Sequence, residues 1–233
     1  MISYDPKLVF VHIPKCAGTA IEKAFENSRY KFKRNAQHGM GRNRVPWRGP
    51  PRLAHLTAQE LLKKGYLSRK EWPSFPSFAI VRCPWARLVS EYNWRGENAY
   101  WRLVKKRPWT FKEFLTSGFP KSIHDNYLLG YDSYRHVIPQ SQFVTSAEGE
   151  LVVDKVFRIE SFMQELPTWL EELGYPSIQL QHSVNPSKSR VPETGEYMDE
   201  KIPLERYFDD FSMSFVEKYY GKDVELFGFE RPF

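Results

Sequence analysis

An α/β protein with a central, mainly parallel sheet flanked by helices is the fold class that the sequence predicts. Two short β-branched runs, 7–13 (KLVFVHI) and Ser77–Val81 (SFAIV), each end at a proline-containing turn and lead into a segment with helical spacing. Strands separated by helices in this way build parallel sheets. The chain of 233 residues has the length of one domain, 1–233, and can bury a substantial core.

Each element follows from local signals. Residues 7–13 read as a buried first strand, stopped by Pro14, and 18–25 (GTAIEKAF) as a helix with Ile21, Ala24 and Phe25 on one face. Residues 29–52 hold eight cations (Arg29, Lys31, Lys33, Arg34, Arg42, Arg44, Arg48, Arg52), no acid, and several glycines and prolines, which predicts a mobile basic loop. Thr57, with Glu60 three residues on and Gly65 beyond, brackets a capped helix over 57–64. Ser77–Val81 is the second clear strand. A helix over 84–95 follows, with Pro84 in its first turn, where a missing N–H costs nothing. Aromatic helical segments are predicted around 110–115 and 122–129, strands at 142–145 and 155–159 with a turn near Glu148 and Gly149, and helices over 161–173 and 204–219. There is no internal repeat and no low-complexity tract.

Composition narrows the partners. A net charge of +6 favours anionic ligands without naming one. No stretch approaches the ~18 uninterrupted apolar residues of a membrane span. Residues 1–15 lack the apolar run and cleavage site of a signal peptide, so a cytoplasmic protein is expected. Two cysteines, Cys16 and Cys83, are too few for a disulfide framework. Free thiols in a reducing cytosol are the reading taken, with a bridge between them the alternative.

Two strand-to-helix connections carry the chemistry. In His12-Ile13-Pro14-Lys15-Cys16-Ala17-Gly18-Thr19-Ala20, small residues let backbone approach a ligand, and a helix N-terminus offers unpaired N–H groups and a positive dipole end. Lys15 adds a charge and Thr19 a hydroxyl. It is not a Walker A loop, since GxxxxGK[ST] is absent and the lysine precedes the glycine. In Arg82-Cys83-Pro84-Trp85-Ala86-Arg87-Leu88-Val89-Ser90, a guanidinium at the strand's end and a hydroxyl two helical turns on suit a terminal phosphate monoester.

HIPKCAGT, followed 67 positions after its lysine by RCPWARLVS, closely resembles the sulfotransferase family 2 pattern. That family includes heparan sulfate 2-O-sulfotransferases, other carbohydrate sulfotransferases and smaller bacterial relatives. Weaker likeness continues through VFRIESF at 156–162 and YYGKDVELFGF at 219–229, so the resemblance spans most of the chain. It implies a P-loop-like sulfotransferase fold and a donor, PAPS (3′-phosphoadenosine 5′-phosphosulfate), released as PAP. It implies that Pro14, Lys15, Cys16, Ala17, Gly18, Thr19 and Ala20 hold the 5′-phosphosulfate, and that Arg82 and Ser90 hold the 3′-phosphate. A late polar loop, with Ser187, Lys188 and Ser189, is expected to close over the donor, a plain surface loop being the alternative. Cys16 stands where the family has threonine, and Cys83 where it has Asp or Asn.

In-line sulfuryl transfer needs a base for the acceptor proton, a cation for the leaving phosphate, and donors for the sulfuryl oxygens. No metal is required. Lys15 is the candidate for the leaving-group charge. Of six histidines, His55 is chosen as base: it precedes a helix, lies a strand upstream of Arg82, and occupies the interval where the resembling enzymes carry their catalytic histidine. His38 is the second choice, and His12 reads as a packed strand residue. A metal set of His12, Cys16, His55 and Cys83 lacks ligand spacing. The expected acceptor is a hydroxyl on a carbohydrate or small molecule, with the basic loop steering an anionic one. A kinase is the rival enzyme, but it should carry a Walker B Asp, whereas the second strand ends in Arg82. A nucleic-acid-binding module is weakened by aromatics that are not interleaved with the cations. Neither nucleic acid nor membrane is therefore expected as a partner.

Overall fold

The computed structural model describes residues 1–26, 28, 35–97, 108–119, 124–128, 132–175, 178–180 and 188–233. In chain order the elements are β1 (Ile2–Tyr4), β2 (Lys7–Val11), α1 (Gly18–Glu26), α2 (Ala58–Lys63), β3 (Ser77–Val81), α3 (Pro84–Glu97), α4 (Phe111–Glu113), α5 (Ser141–Val144), β4 (Lys155–Arg158), α6 (Phe162–Glu172), β5 (Ser189–Arg190), β6 (Tyr197–Met198) and α7 (Asp210–Phe227). They divide between two compact units, 1–82 with 123–183 and 83–122 with 184–233.

The first unit is built on a four-stranded sheet of order β1-β2-β3-β4, antiparallel at β1/β2 and parallel at β2/β3 and β3/β4. This is the α/β fold predicted, with a mixed, mostly parallel sheet. Strand β3 is buried at every position, as its unbroken apolar run requires of a central parallel strand. Phe78 stacks on Phe10 of the neighbouring strand at 4.9 Å and meets Phe157 and Trp169 edge-on at 6.0 and 5.9 Å. Phe78→Ala is expected to destabilise the protein by about 3–5 kcal/mol, read as a fall in the denaturation midpoint at unchanged slope. At the start of β3, Ser77 N and Oγ donate to Asp154 Oδ2 at 2.8 and 2.7 Å, fixing the β3/β4 register. Because β2 and β3 are parallel neighbours, the connections leaving them, at His12 and Arg82, emerge at the same sheet edge.

The second unit centres on α3 and the β5/β6 hairpin. Arg190 is buried and donates to the carbonyls of Tyr92, Trp109 and Gly195, each at 2.9 Å, with its guanidinium 4.1 Å from the Tyr92 ring centroid. One side chain thus ties the helix to the hairpin and to the entry of α4. No described helix is long and apolar enough to cross a membrane.

Several local expectations need correction. Strand β1 precedes the predicted first strand and pairs with it across the Asp5-Pro6 turn. Residues 142–144 are helical rather than extended, and Thr145, whose N and Oγ1 both return to the Ser141 carbonyl at 3.0 and 2.9 Å, ends α5 on extended backbone bridged to Leu151. The segment predicted as one helix over 204–219 is a 3-10 turn, Leu204–Tyr207, and then α7. Asp209 separates them because its carboxylate accepts Ser212 N at 2.8 Å and caps a new helix. Of the helix predicted over 122–129, the described residues 124–128 are not helical, with a turn at 127–128 and Tyr127 Oη donating to Gly49 O at 2.8 Å.

Of the basic loop, residues 29–34 lie outside the described residues, and 35–52 carry a network of hydrogen bonds. Asn43 is buried, donates Nδ2 to Val45, Gly49 and Pro50 carbonyls at 2.8, 2.8 and 3.2 Å, and accepts Val45 N at 3.0 Å. Asn43 N to Pro51 O (2.8 Å) and Leu53 N to Gly41 O (3.1 Å) close the base, and Tyr66 Oη donates to Arg48 O at 2.8 Å. Trp47 stands out at 76% exposure among exposed Arg42, Arg44 and Arg48.

Candidate active site

The connection between β2 and α1 takes an uncommon backbone path. Lys15 and Ala17 both have positive φ, 69° and 58°, a region that non-glycine residues rarely enter, and Cys16 between them does not. Alternation of this kind turns successive N–H groups toward one side and makes an anion-binding concavity at the helix start. Cys16 N instead returns to Ile13 O at 3.2 Å, so the donor expected at that residue serves the turn. Lys15, Ala17 and Ala20 are partly exposed, Thr19 is exposed, and Pro14, Cys16 and Gly18 are buried.

Gly18 has a more specific task than close approach to a ligand. A Cβ built on it would lie 1.7 Å from His12 Nε2, so the imidazole occupies that space. His12 stacks on Phe10 at 5.6 Å, and its Nδ1 lies 3.6 Å from Glu22. Burial first, then the neighbouring His55, holds its pKa well below the ordinary histidine value, so His12 is neutral at physiological pH. On its other side His12 meets the His55 ring edge-on at 5.2 Å.

His55 sits in a 3-10 turn, Leu53–His55, just before α2. The predicted capping box is present: Glu60 N donates to Thr57 Oγ1 at 3.1 Å, and Thr57 N to Glu60 Oε2 at 2.9 Å. His55 is buried, its Nδ1 2.5 Å from Asp132 Oδ2. Burial works against the Asp132 carboxylate. The hydrogen-bonded His55 beside it, with His136 and Arg52, outweighs it and holds the carboxyl well below the usual range. An ionised carboxylate only accepts, so Nδ1 carries the hydrogen, and in the neutral ring the lone pair is then on Nε2. His136 packs edge-on against His55 at 4.9 Å. His38, the second choice, is turned to Ile2 O at 2.8 Å and sits against Tyr4.

His55, Asp132 and His136 bring one ligand-type atom each within 4.8 Å of one another. Two ligands of one tetrahedral ion at ~2.1 Å stand about 3.4 Å apart. The His55–Asp132 separation of 2.5 Å is that of a hydrogen bond. The set His12, Cys16, His55 and Cys83 is not among the clusters formed by the described residues, and neither cysteine is in a disulfide.

One buried carboxamide joins the two motifs. Gln140 Oε1 accepts Cys16 Sγ–H at 3.2 Å and Arg82 N–H at 2.9 Å, while Gln140 Nε2 donates to Arg82 O at 2.8 Å. Arg82 is thereby fixed by its backbone, its side chain half-buried. A model of the sulfotransferase family matches residues 1–230, nearly the whole chain. The chain belongs to the sulfotransferase family. No curated relative and no solved structure matches it.

In this sulfotransferase the sequence-predicted residues divide cleanly. Lys15 to Ala20, Arg82 and His55 fall in the first unit, linked by His12 and Gln140. Ser90 belongs to the second unit, half-buried on α3. Of the late loop, Ser187 lies outside the described residues. Lys188 is exposed and paired with Asp199 at 2.9 Å, and Ser189 is buried in β5, where its Oγ accepts Ile202 N at 3.2 Å. Sequence reasoning missed Asp132, Arg135, His136 and Gln140. Their one signal was an acid, a guanidinium and an imidazole within five residues, 132–136.

Proposed function

We propose that this sulfotransferase moves the sulfuryl group of PAPS in line onto an acceptor hydroxyl of a carbohydrate or small molecule, with His55 as base. The observation that carries the reading is the position of His12, whose ring touches the start of α1 on one side and His55 on the other. A base one side chain away from the donor loop is what a direct transfer requires.

In this reading the whole chain, 1–233, acts as one sulfotransferase domain. Lys15 and residues 17–20 hold the 5′-phosphosulfate against the N-terminus of α1. Lys15, partly exposed on its strained backbone, meets charge growing on the leaving phosphate. Arg82, fixed through its backbone by Gln140, takes the 3′-phosphate. Nε2 of His55 takes the acceptor proton as the oxygen attacks sulfur and the S–O bond to PAP breaks. The proton comes to rest on the imidazole, beside Asp132. Lys15 and the helix end supply the positive charge, so the transfer needs no metal. Arg42, Arg44, Arg48 and Trp47 suit an anionic or ring-bearing acceptor.

PAP added without metal is expected to raise the Tm clearly, 5′-AMP to leave it unchanged, and Arg82→Ala to abolish the rise. No shift at saturating PAP would remove the donor from the reading and favour nucleic acid at the basic loop.

A further inference from the structure

We infer that the turn Asp132 to His136 is the positioning element for His55, and that Asp132 sets the imidazole tautomer that leaves Nε2 free to accept a proton. This rests on His55 being the base, yet its decisive measurement does not use activity.

Three side chains of one turn reach the same residue. The turn is tightly wound, with Arg135 N donating to Asp132 O at 2.9 Å and Val137 N to Tyr134 O at 3.0 Å. Asp132 holds the ring at Nδ1. Arg135 holds the backbone: its Nη1 donates to His55 O at 3.2 Å. His136 packs edge-on against the ring, and His12 does the same from the end of β2.

Arg135 is itself over-determined. Nη1 and Nη2 donate to the two oxygens of Glu60, each at 2.7 Å, and Nε and Nη2 to the two oxygens of Asp125, each at 3.0 Å. Glu60 also accepts Thr57 N, so the chain just after His55 is tied into the same network. A guanidinium with two forked carboxylate partners does not swing, and the His55 carbonyl it holds does not drift. The ring and the backbone of His55 are thus fixed independently.

The tautomer argument depends on Asp132 staying ionised while buried. Its neighbours supply the reason: His55, His136 and Arg52 offset the loss of water. Replaced by a carboxamide, the same position can present N–H to Nδ1. The ring then carries its hydrogen on Nε2, and no lone pair faces the acceptor.

The test is imidazole 15N NMR on the full chain. In the native protein His55 is expected to show a protonated Nδ1 and an unprotonated Nε2; in Asp132→Asn the pattern is lost or reversed, whereas Asp132→Glu retains it. Asp132→Asn should also lower kcat by about 10²- to 10⁴-fold, with the PAP-induced Tm shift and the KM for PAPS unchanged. Asp132→Glu should recover at least ten-fold of that loss. A native Nε2–H tautomer, or an unchanged pattern in Asp132→Asn, would overturn the assignment. Equal kcat losses in the two variants would also count against it, and would keep it testable should Asp132→Asn fold poorly. Failure of the base reading looks different: His55→Ala would then turn over normally while the native tautomer still followed Asp132.

Discussion

His55→Ala is expected to lower turnover by about 10²- to 10⁴-fold while leaving the PAP-induced rise in Tm intact. The expectation follows from the division of labour within the first unit. The donor loop owes its shape to its own backbone and to Gln140, neither of which touches His55 directly. The base contributes its lone pair and nothing to donor binding. His55→Ala also strands the buried Asp132 carboxylate, which adds a stability loss of its own. His55→Asn separates the two effects, because its Nδ2 can still donate to Asp132 while offering no basic nitrogen. Turnover is read as PAP release from PAPS with a sugar or phenol hydroxyl as acceptor. Loss in both variants with donor binding preserved supports the role, and near-native turnover in either removes His55 from it.

Gly18→Ala is the second large effect. The added methyl would fall 1.7 Å from His12 Nε2 and closer than 2.4 Å to the ring carbons on either side. The imidazole has little room to retreat, with Phe10 stacked on one face and His55 at its edge. Overpacking of this kind costs about 1–3 kcal/mol, and here the strain falls on the contact between donor loop and base. We expect a lower Tm and a fall of at least ten-fold in kcat/KM. The second quantity should be restored in part by His12→Ala in the same chain, since that removes the ring the methyl strikes. A Gly18→Ala protein with native stability and kcat/KM would show that His12 does not couple the loop to His55.

Much of this was readable from residue order alone, and the reason is locality. The strand, loop and helix at 7–26 and the strand and helix at 77–97 announce themselves through β-branched runs, a proline stop and helical spacing within a dozen positions. The Thr57–Glu60 capping box spans four residues and was equally plain. What sequence could not supply was anything written across long separations. Asp132 reaches His55 over 77 positions and Gln140 reaches Arg82 over 58, and no periodicity links such pairs. Strand β1 was missed because three residues before a turn carry too little pattern. The run at 142–145 misled because Phe143, Val144 and Thr145 are apolar or β-branched, yet residues 141–144 wind into a helical turn and only Thr145 is extended.

Asn43 has a consequence for whatever approaches the arginines at 42–48. Its carboxamide satisfies the inner carbonyls of the loop, so the backbone there is ordered when the chain folds. A partner meeting Trp47, Arg44 and Arg48 finds the main chain already set and pays an entropic cost only for the long side chains, about 0.5–1.5 kcal/mol for each one immobilised. Weak individual contacts can therefore add up to a useful residence time, and salt, which screens exposed charges, becomes the natural control over it.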